Sequence, residues 1–267
     1  MKFTIIEQGS KILSKFNICN AFQESLIIYE YVNKYFKTFN KKSFFKLIYK
    51  RTKHIPLAYL TYNQHFYNLK LHILDTVLIP RNDTETIIST ITKHFNKTNQ
   101  YNILDIGVGS GAILTQLLYH FHNSTGTGID ISLHAIRNTY INLFKYNLNA
   151  NLKLIDINDL PAEKLLEYNI IVSNPPYIHE NEKKHMNIET SYEPKNALFC
   201  KNYDIYITIF NKLNSINWFQ KKNNMLFLEI SPFNKDYLYK LYNSRWQVEI
   251  IHDMSNNARV LRVFNKT

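Results

Sequence analysis

Apolar and polar positions divide the chain into a helical start and a later region in which strands and helices alternate. In the segment NAFQESLIIYEYVNKYF, the apolar residues at helical spacing are Phe22, Leu26, Tyr29, Val32 and Phe36. We predict that these side chains form a core. Asn20 followed by Gln23 resembles a capping box, and Ser43 is a candidate cap for a further short helix. The pattern predicts a small helical domain over residues 1–54.

A different pattern follows in AYLTYNQHFYNLKLHIL, residues 58–74, where apolar residues alternate imperfectly around a polar Tyr-Asn-Gln-His turn. It predicts a β-hairpin, which we place as a linker over 55–78. Pro80 then interrupts a strand-like run, and Asn82 or Asp83 can cap the next helix. The apolar face of that helix carries Ile87, Ile88 and Ile91.

From residue 101 onward, strand-like and helix-like runs alternate. The strand-like runs are Asn102–Ile106, Thr127–Ile131, Leu152–Ile155, Ile170–Ser173, Met225–Ile230, Val248–Ile251 and Val260–Phe264. Repeated βα units predict an α/β domain over 79–267 with a doubly wound, mostly parallel seven-stranded sheet. A short polar connection joins the last two runs, so we expect them to pair antiparallel. In such a sheet the first and fourth strands are neighbours.

Composition narrows the class of protein. Of the 267 residues, 45% are apolar, which is typical of a globular chain with a core. The two cysteines, Cys19 and Cys200, argue against a disulfide framework and against a cysteine-based metal site. The start MKFTIIEQGSKIL has no apolar run of signal-peptide length, and no run approaches membrane-spanning length. We therefore expect a cytoplasmic protein with no membrane partner.

Charge leaves two interpretations open. The 32 Lys and Arg residues outnumber the 21 Asp and Glu residues, for a net charge of +11. A basic surface attracts phosphate-rich partners, so proximity to the ribosome or to RNA is one interpretation. A coding bias toward Lys, Asn, Ile and Tyr is the other, because no dense basic run occurs.

Glycine is concentrated in one segment. Five of the six glycines lie within 107–128, and NILDIGVGSGAILTQLL reads as strand, then the spaced Gly107, Gly109 and Gly111, then helix. Glycines let a ligand approach the backbone, and the following helix offers free N–H groups. Asp130 ends the next strand, 19 residues after Gly111, where an acid can accept hydrogen bonds from ribose hydroxyls. An adenosine-bearing cofactor is predicted, and the G-x-G-x-x-A pattern also suits a dinucleotide.

The corner IIVSNPPYI follows the fourth predicted strand and therefore opens onto the same crevice as the glycines. The Asn174 side-chain carbonyl and the Pro175 backbone carbonyl are two acceptors, held rigid by Pro175 and Pro176. They match the two hydrogens of one planar –NH₂ group, and Tyr177 can cover its flat face. No Ser-His-Asp set, metal cluster or phosphate-binding lysine accompanies them. S-adenosylmethionine brings its own leaving group, so we infer methyl transfer to a planar nitrogen.

Two further sets of charged or metal-ligating residues lie near these motifs in the sequence. Arg81 and Glu85 can line the mouth of the substrate site or pair with each other four residues apart, and we favour a positioning role. His179, Glu182 and His185 follow the corner. A solvated loop suits them better than a metal site, so no metal is predicted.

Taken together, LDIGVGSGAI, GIDIS, IIVSNPPYI, YEPKNAL and the upstream PLAYLTYNQHFYNLKLHILDTVLIPRNDTE resemble the release factor glutamine methyltransferases. The similarity runs from about Pro56 to the C-terminus. NPPY alone is shared with adenine-N6 DNA methyltransferases, whereas its combination with LIPRNDTE and YEP is more specific. The resemblance implies a class I, Rossmann-like fold that methylates the glutamine side-chain amide in the GGQ motif of bacterial-type release factors. It also implies that the helical domain helps to hold the release factor.

The resemblance assigns roles to individual positions. S-adenosylmethionine would contact Gly107, Val108, Gly109, Ser110, Gly111, Asp130 and Asn174. Asn174, Pro175, Pro176 and Tyr177 would hold the glutamine amide, with Asn174, Pro175 and Tyr177 as the catalytic residues and Arg81 at the substrate side. The family also has an Asp-aromatic cofactor contact after the third strand. In LIDINDLP the corresponding residues are Asn158-Asp159, with Asp156 as an alternative. We choose Asp159 as the cofactor contact.

Several positions depart from the family pattern. Val108 replaces Thr, Asn82 replaces Pro, and LEIS replaces LEIG. Tyr62 and Asn68 replace glycines in the hairpin, and 199–203 replaces a Gly-Gly-x-x-Gly stretch. Asn tolerates positive φ, so Asn68 and Asn202 can adopt it, whereas a Tyr is strained there. These changes bear on efficiency and on the substrate-side loop more than on the reaction.

Other functions remain open. One is methylation of a ribosomal-protein glutamine. A second is adenine-N6 methylation of nucleic acid, which the net charge of +11 would suit. A third is a non-catalytic module that docks on the ribosome. A nicotinamide oxidoreductase is disfavoured, because hydride transfer gives NPPY no role.

Overall fold

The computed structural model describes residues 2–36, 39–178, 186–200, 203–221 and 223–265. The chain forms two compact units, Met1–Asn63 with His185–Glu193 and Gln64–Lys184 with Pro194–Thr267. The predicted division into functional segments at 1–54, 55–78 and 79–267 stays a prediction.

The first unit contains helices α1 (Lys2–Lys15), α2 (Ala21–Tyr35), α3 (Lys41–Arg51) and α4 (Leu57–Thr61). Its buried apolar core includes Ile5, Leu13, Ile28, Val32, Phe44 and Ile48. The predicted helical start is confirmed.

Helix α2 buries a different face from the predicted one. Phe22 and Phe36 are each 42% exposed, and of the five predicted core residues Val32 is fully buried. The buried face instead carries Ser25, whose hydroxyl donates to the Ile6 carbonyl oxygen at 2.7 Å. A Cβ on Gly9 would lie 2.4 Å from the Ser25 Oγ, so α1 and α2 approach closely at this point.

Both predicted caps in this unit are wrong. Asn20 precedes α2, but its side chain makes no capping hydrogen bond. Asn40 caps α3 by accepting a hydrogen bond from the Ser43 N–H at 2.9 Å, so Ser43 is the partner and not the cap. A side-chain acceptor just before the first turn reaches the N–H three residues on.

Arg51 ties the short turn Ile188–Tyr192 into the first unit. Its guanidinium is 3% exposed and lies 2.5 Å from a carboxylate oxygen of Glu24 and 2.5 Å from one of Glu189. The Tyr192 hydroxyl donates to the Lys53 carbonyl oxygen at 2.7 Å. A buried cation between two carboxylates would be costly to leave unpaired, so these contacts fix the turn.

The predicted hairpin is confirmed in part. Strands β1 (Asn63–Phe66) and β2 (Leu69–His72) form a two-stranded sheet. The Tyr-Asn-Gln-His stretch leads into β1 instead of forming the turn, and the preceding residues form α4. The turn is Tyr67-Asn68, and positive φ falls on Tyr67 at +52° and Tyr62 at +54°, not on Asn68. Asn202 lies outside the described residues.

The second unit contains the predicted sheet, confirmed as seven-stranded and mostly parallel. Its strands are β3 (Asn102–Ile106), β4 (Thr125–Asp130), β5 (Asn151–Leu154), β6 (Ile170–Ser173), β7 (Met225–Glu229), β8 (Gln247–His252) and β9 (Ala258–Phe264). Their order is β5-β4-β3-β6-β7-β9-β8. As predicted, β8 and β9 pair antiparallel, and the first and fourth strands, β3 and β6, are parallel neighbours.

Helices α5 (Glu85–His94), α6 (Ala112–His120), α7 (Leu133–Lys145), α8 (Lys195–Leu198), α9 (Asp204–Ser215) and α10 (Lys235–Asn243) belong to the same unit. As predicted, α5 buries Ile87, Ile88 and Ile91. Its first residue follows Thr84, because Asn82–Thr84 form a 3-10 turn of their own. The predicted cap at Asn82 or Asp83 is therefore wrong. No helix within the described ranges is long and apolar enough to cross a membrane.

We expect the free energy of unfolding of Tyr67→Gly to exceed that of Tyr67→Ala by about 0.5 to 1 kcal/mol, so the glycine variant is the more stable of the two. Both variants lose the ring, and only alanine keeps the Cβ that strains a residue at φ +52°. Urea denaturation of the two variants measures the difference. An alanine variant as stable as the glycine variant would contradict the strain.

Candidate functional site

The glycine loop turns sharply between β3 and α6. Gly107, Gly109 and Gly111 have φ values of +73°, +56° and +79°, which L side chains rarely adopt. The N–H groups of Gly107 and Val108 both donate to the Ile129 carbonyl oxygen, at 2.9 and 3.0 Å. The loop is therefore fixed against the end of β4.

Two of these glycines serve different purposes. A Cβ on Gly111 would lie 2.8 Å from Cγ2 of Thr139 on α7, so this position is packed. A Cβ on Gly107 would meet nothing within 4 Å, so its face is open. The open face is where the backbone can approach a ligand.

Asp130 stands at the end of β4 and faces the loop. One carboxylate oxygen accepts a hydrogen bond from the Gly109 N–H at 3.0 Å, and the other accepts from the Ser132 N–H at 2.8 Å. Burial raises the pKa of Asp130, while these backbone bonds and one from Ile131 lower it. A carboxylate has about four acceptor sites, so it can still accept a hydroxyl group of a ligand.

The NPPY corner begins level with the glycine loop. Ser173 is the last residue of β6 and pairs in register with Ile106, the last residue of β3. Its buried hydroxyl donates to the Ile106 carbonyl oxygen at 2.6 Å. Asn174 and Gly107 therefore leave the sheet side by side.

Both motifs line one cavity of about 180 Å³. Of the predicted site residues, it brings together Gly107, Gly109, Asp130, Asn174, Pro175 and Pro176. Isoleucines at the strand ends form an apolar wall, namely Ile106, Ile129, Ile155 and Ile157. A mostly apolar cleft with a few polar groups at the carboxyl edge of a parallel sheet is typical of a ligand site.

Three predicted loop residues are not among the lining residues. Val108 is buried, and its Cγ2 would lie 2.9 Å from a Cβ on Gly128. Ser110 is held through its carbonyl oxygen, which accepts from the side-chain amides of Asn138 and Asn142 at 3.0 and 2.9 Å. Gly111 packs on α7, as described above. Their direct contact with a cofactor stays a prediction.

The acidic contact after β5 has three candidates. Asp156 and Asn158 line the cavity, whereas Asp159 does not. Asp156 accepts hydrogen bonds from the backbone and side-chain N–H groups of Asn158, at 2.8 and 2.9 Å. Asp159 was our choice from the sequence and stays a prediction, but the lining favours Asp156.

The substrate-side predictions are placed as follows. The Asn174 Nδ2 donates to the Thr84 hydroxyl oxygen at 3.3 Å, which leaves Oδ1 as the accepting end of the amide. Tyr177 is half-buried, and its hydroxyl donates to Glu229 Oε1 at 3.3 Å. Burial raises the pKa of Tyr177, and the nearby Arg81 charge opposes that rise. Tyr177 and Arg81 are not among the lining residues, and their predicted roles stay predictions.

Glu85, the predicted alternative partner of Arg81, has a different contact. Its Oε1 accepts a hydrogen bond from the Tyr67 N–H at 2.9 Å. The carboxylate is therefore directed toward the hairpin turn.

Sequence reasoning missed a wall formed by the YEP motif and the residues after it. Pro194, Asn196 and Ala197 line the cavity. The Ile178 N–H donates to the Leu198 carbonyl oxygen at 3.2 Å, which holds this segment beside the corner. The motif YEPKNAL is the signal in the sequence for this wall.

Two buried acids near the site were also missed. Asp105 on β3 accepts from the Leu114 N–H at 3.2 Å, and its Oδ1 has no hydrogen-bond partner among the described residues. Burial raises the pKa of Asp105 to about 7. Glu229 at the end of β7 is 1% exposed, and burial raises its pKa to about 7 as well. An acid inside an apolar strand, as in ILDIG and LFLEIS, is the signal that could have found both.

Within the described parts of the chain, no group of three or more His, Cys, Asp or Glu side chains could hold a metal ion. The metal site considered after the corner lies outside the described residues, since it consists of His179, Glu182 and His185.

Comparison with known proteins gives one domain match and several relatives. Residues 83–198 match the family described as Methyltransferase small domain. The "Release factor glutamine methyltransferase" of Flavobacterium psychrophilum is 32% identical over 219 residues, which are 78% of this chain and 75% of that protein. The same name is carried by a Fusobacterium nucleatum protein that is 38% identical over 154 residues, 57% of this chain and 43% of that protein.

Relatives from Rickettsia are longer. The "Bifunctional methyltransferase" of Rickettsia bellii is 31% identical over 247 residues, which are 82% of this chain and 44% of that protein. The chain thus spans about half the length of this relative.

Solved structures share the fold at low identity. The hMettl16 catalytic domain superimposes with a TM-score of 0.54 and 10% identity, covering 84% of this chain and 82% of that one. A type I restriction-modification methyltransferase subunit from Streptococcus thermophilus gives a TM-score of 0.50 and 12% identity, covering 72% and 45%. At these identities the likeness shows the fold alone.

We expect Gly111→Ala to destabilise the protein by about 2 to 4 kcal/mol, because a crowded Cβ adds to the backbone strain. Gly107→Ala, with open space around its Cβ, should cost only about 1 kcal/mol of strain. Denaturant unfolding of both variants tests the contrast. Equal losses at the two positions would contradict it.

Asp105 predicts a pH dependence of stability. Its carboxyl ionises near pH 4 in the unfolded chain and at about 7 in the folded one, so stability falls as pH rises between those values. In the wild type, the free energy of unfolding should fall between pH 5 and 7.5. In Asp105→Asn this fall should be smaller by up to about 3 kcal/mol. Denaturant titrations across this range measure it.

The control is Asp159→Asn, which changes an exposed carboxylate and should keep the wild-type decline. A decline that is the same in Asp105→Asn as in the wild type would contradict the assignment.

Proposed function

This chain belongs to the release factor glutamine methyltransferase family, and from that premise we propose that it methylates the side-chain amide of a release factor glutamine. The methyl donor is S-adenosylmethionine, and the target is the glutamine of the GGQ motif. One observation carries the proposal: Asn174 of the corner and Asp130 at the end of β4 line the same cavity.

The cavity suits the cofactor for reasons visible in the chain itself. Gly107 and Gly109 have positive φ, and no atom lies within 3.4 Å of a Cβ built at either position, so a ligand can lie against the backbone. Asp130 offers acceptors for ribose hydroxyls, and Asp156 offers a further carboxylate on the wall. The apolar wall suits an adenine ring. When bound, S-adenosylmethionine supplies a methyl group on a positively charged sulfur that leaves as a neutral thioether.

Asn174 and Pro175 perform the task on the substrate side. The Asn174 Oδ1 and the Pro175 carbonyl oxygen accept the two hydrogens of the glutamine –NH₂ group. Holding both hydrogens orients the nitrogen and stabilises the positive charge that develops on it when the new N–C bond forms. One of the two N–H protons then passes to solvent water, which restores a neutral amide. The rigid prolines reduce the reorganisation that such a clamp needs.

Other parts of the chain have supporting roles in this proposal. Tyr177 covers the flat face of the amide, and Arg81 stands at the substrate side. The helical first unit helps to hold the release factor. The net charge of +11 favours a site of action near the ribosome or RNA.

A second candidate is methylation of the adenine N6 amine of a nucleic acid. Adenine presents a similar planar –NH₂ group, and the net charge of +11 favours a nucleic-acid substrate. The assay below separates the two candidates.

The test incubates the protein and labelled S-adenosylmethionine with full-length release factor, with the same factor carrying Asn in place of the GGQ glutamine, or with DNA and RNA. We expect label on the unmodified release factor alone. Asn174→Ala should lower the rate by about 100-fold or more, because one of the two acceptors is lost. Asn99→Ala, at an exposed turn, is the matched control and should retain the wild-type rate.

Label on nucleic acid and not on release factor would overturn the release factor assignment. A second experiment measures the binding of S-adenosylmethionine to the wild-type protein by calorimetry. Absence of binding would contradict the proposal that the protein is an enzyme.

A further inference from the structure

Thr84 lies buried beneath the NPPY corner. It is 3% exposed and immediately precedes α5, a position where a threonine usually caps its own helix. Its side chain makes no capping hydrogen bond. Its oxygen instead accepts from Asn174 Nδ2 at 3.3 Å, so the hydroxyl serves the corner and not the helix.

Glu229 lies near the same corner. Its Oε1 accepts a hydrogen bond from the Tyr177 hydroxyl at 3.3 Å. Burial raises the pKa of the Glu229 carboxyl, and the nearby Thr84 hydroxyl opposes that rise. This acid, 1% exposed, therefore contacts the last residue of the corner directly.

The bond to Thr84 sets which way the Asn174 amide points. The Thr84 oxygen accepts from Asn174 Nδ2 at 3.3 Å, and an oxygen lone pair accepts from –NH₂ but repels a carbonyl oxygen. The amide is therefore held with Nδ2 toward Thr84 and Oδ1 away from it.

We propose that Thr84 is a positioning residue that presents the Oδ1 of Asn174, and not its Nδ2, to the substrate nitrogen. The inference rests on the proposed function for its substrate. Without the hydroxyl, the Asn174 amide can rotate by half a turn. Its Nδ2, a donor, would then face the substrate –NH₂ group, which needs an acceptor.

The test compares Thr84→Val, which keeps the shape without the hydroxyl, with Thr84→Ser, which keeps the hydroxyl. Thr90→Val on α5 is the matched control, because the Thr90 hydroxyl donates only to its own helix, to the Thr86 carbonyl oxygen at 2.7 Å. With release factor as substrate, Thr84→Val should lower kcat by about 10- to 100-fold, roughly the effect of misplacing a reacting group. The Kd for S-adenosylmethionine should stay within about twofold.

Rescue by serine separates positioning from stability. Thr84→Ser should retain kcat within about threefold of the wild type, and Thr90→Val should match the wild type. Thr84→Ala, a second hydroxyl-free variant, repeats the test if the valine variant does not fold.

A nuclear magnetic resonance measurement reports directly on the environment of the Asn174 side-chain amide. The side-chain –NH₂ resonance of Asn174, identified by its loss in Asn174→Asp, should shift in Thr84→Val and stay in place in Thr90→Val. An unchanged resonance together with an unchanged kcat would overturn the proposal. If the wild type methylates no release factor, the proposed function fails, and the resonance still decides whether Thr84 positions Asn174.

Discussion

The parallel pairing of β3 with β6 is the constraint on which the candidate site depends. Ile106 and Ser173 end their strands in register, and the Ser173 hydroxyl bonds to the Ile106 carbonyl oxygen. Because both strands run in the same direction, their following residues leave the sheet at the same edge. Gly107 and Asn174 are thereby placed beside one another although 67 residues separate the paired strand ends. A shift in this pairing would separate the cofactor loop from the corner that is proposed to hold the substrate.

Buried acids form a second layer beneath this edge. Asp105, Asp130 and Glu229 lie on three strands of the same sheet, β3, β4 and β7, and burial raises the pKa of each. Carboxylates in such positions are costly to desolvate and are retained where their hydrogen bonds direct other groups. Asp130 holds the Gly109 N–H, and Glu229 holds the Tyr177 hydroxyl. Burial of these acids costs stability, and the hydrogen bonds of Asp130 and Glu229 hold the glycine loop and the NPPY corner in place.

Long patterns were predictable because each depends on local rules. The strands Asn102–Ile106 and Ile170–Ser173 match their predicted bounds, since apolar runs ended by glycine or proline define a buried strand. Predictions that depended on a single side chain were less successful. The face of α2 was misjudged because Gly9 lets α1 approach at Ser25, a contact that the spacing of apolar residues along α2 does not reveal. The caps at Asn20 and Ser43 failed because capping depends on where the chain enters the helix.

The sequence by itself determined the order of strands and helices, the glycine loop, the NPPY corner and the resemblance that these motifs carry. Periodicity and backbone chemistry act between near neighbours, so they can be read along the chain. Only the tertiary structure decided which side chains meet. It brought Asp156 to the cavity wall rather than Asp159, and it placed the Thr84 hydroxyl against the Asn174 amide. Those contacts join distant segments, and their geometry follows from how the strands pair and pack and not from local spacing.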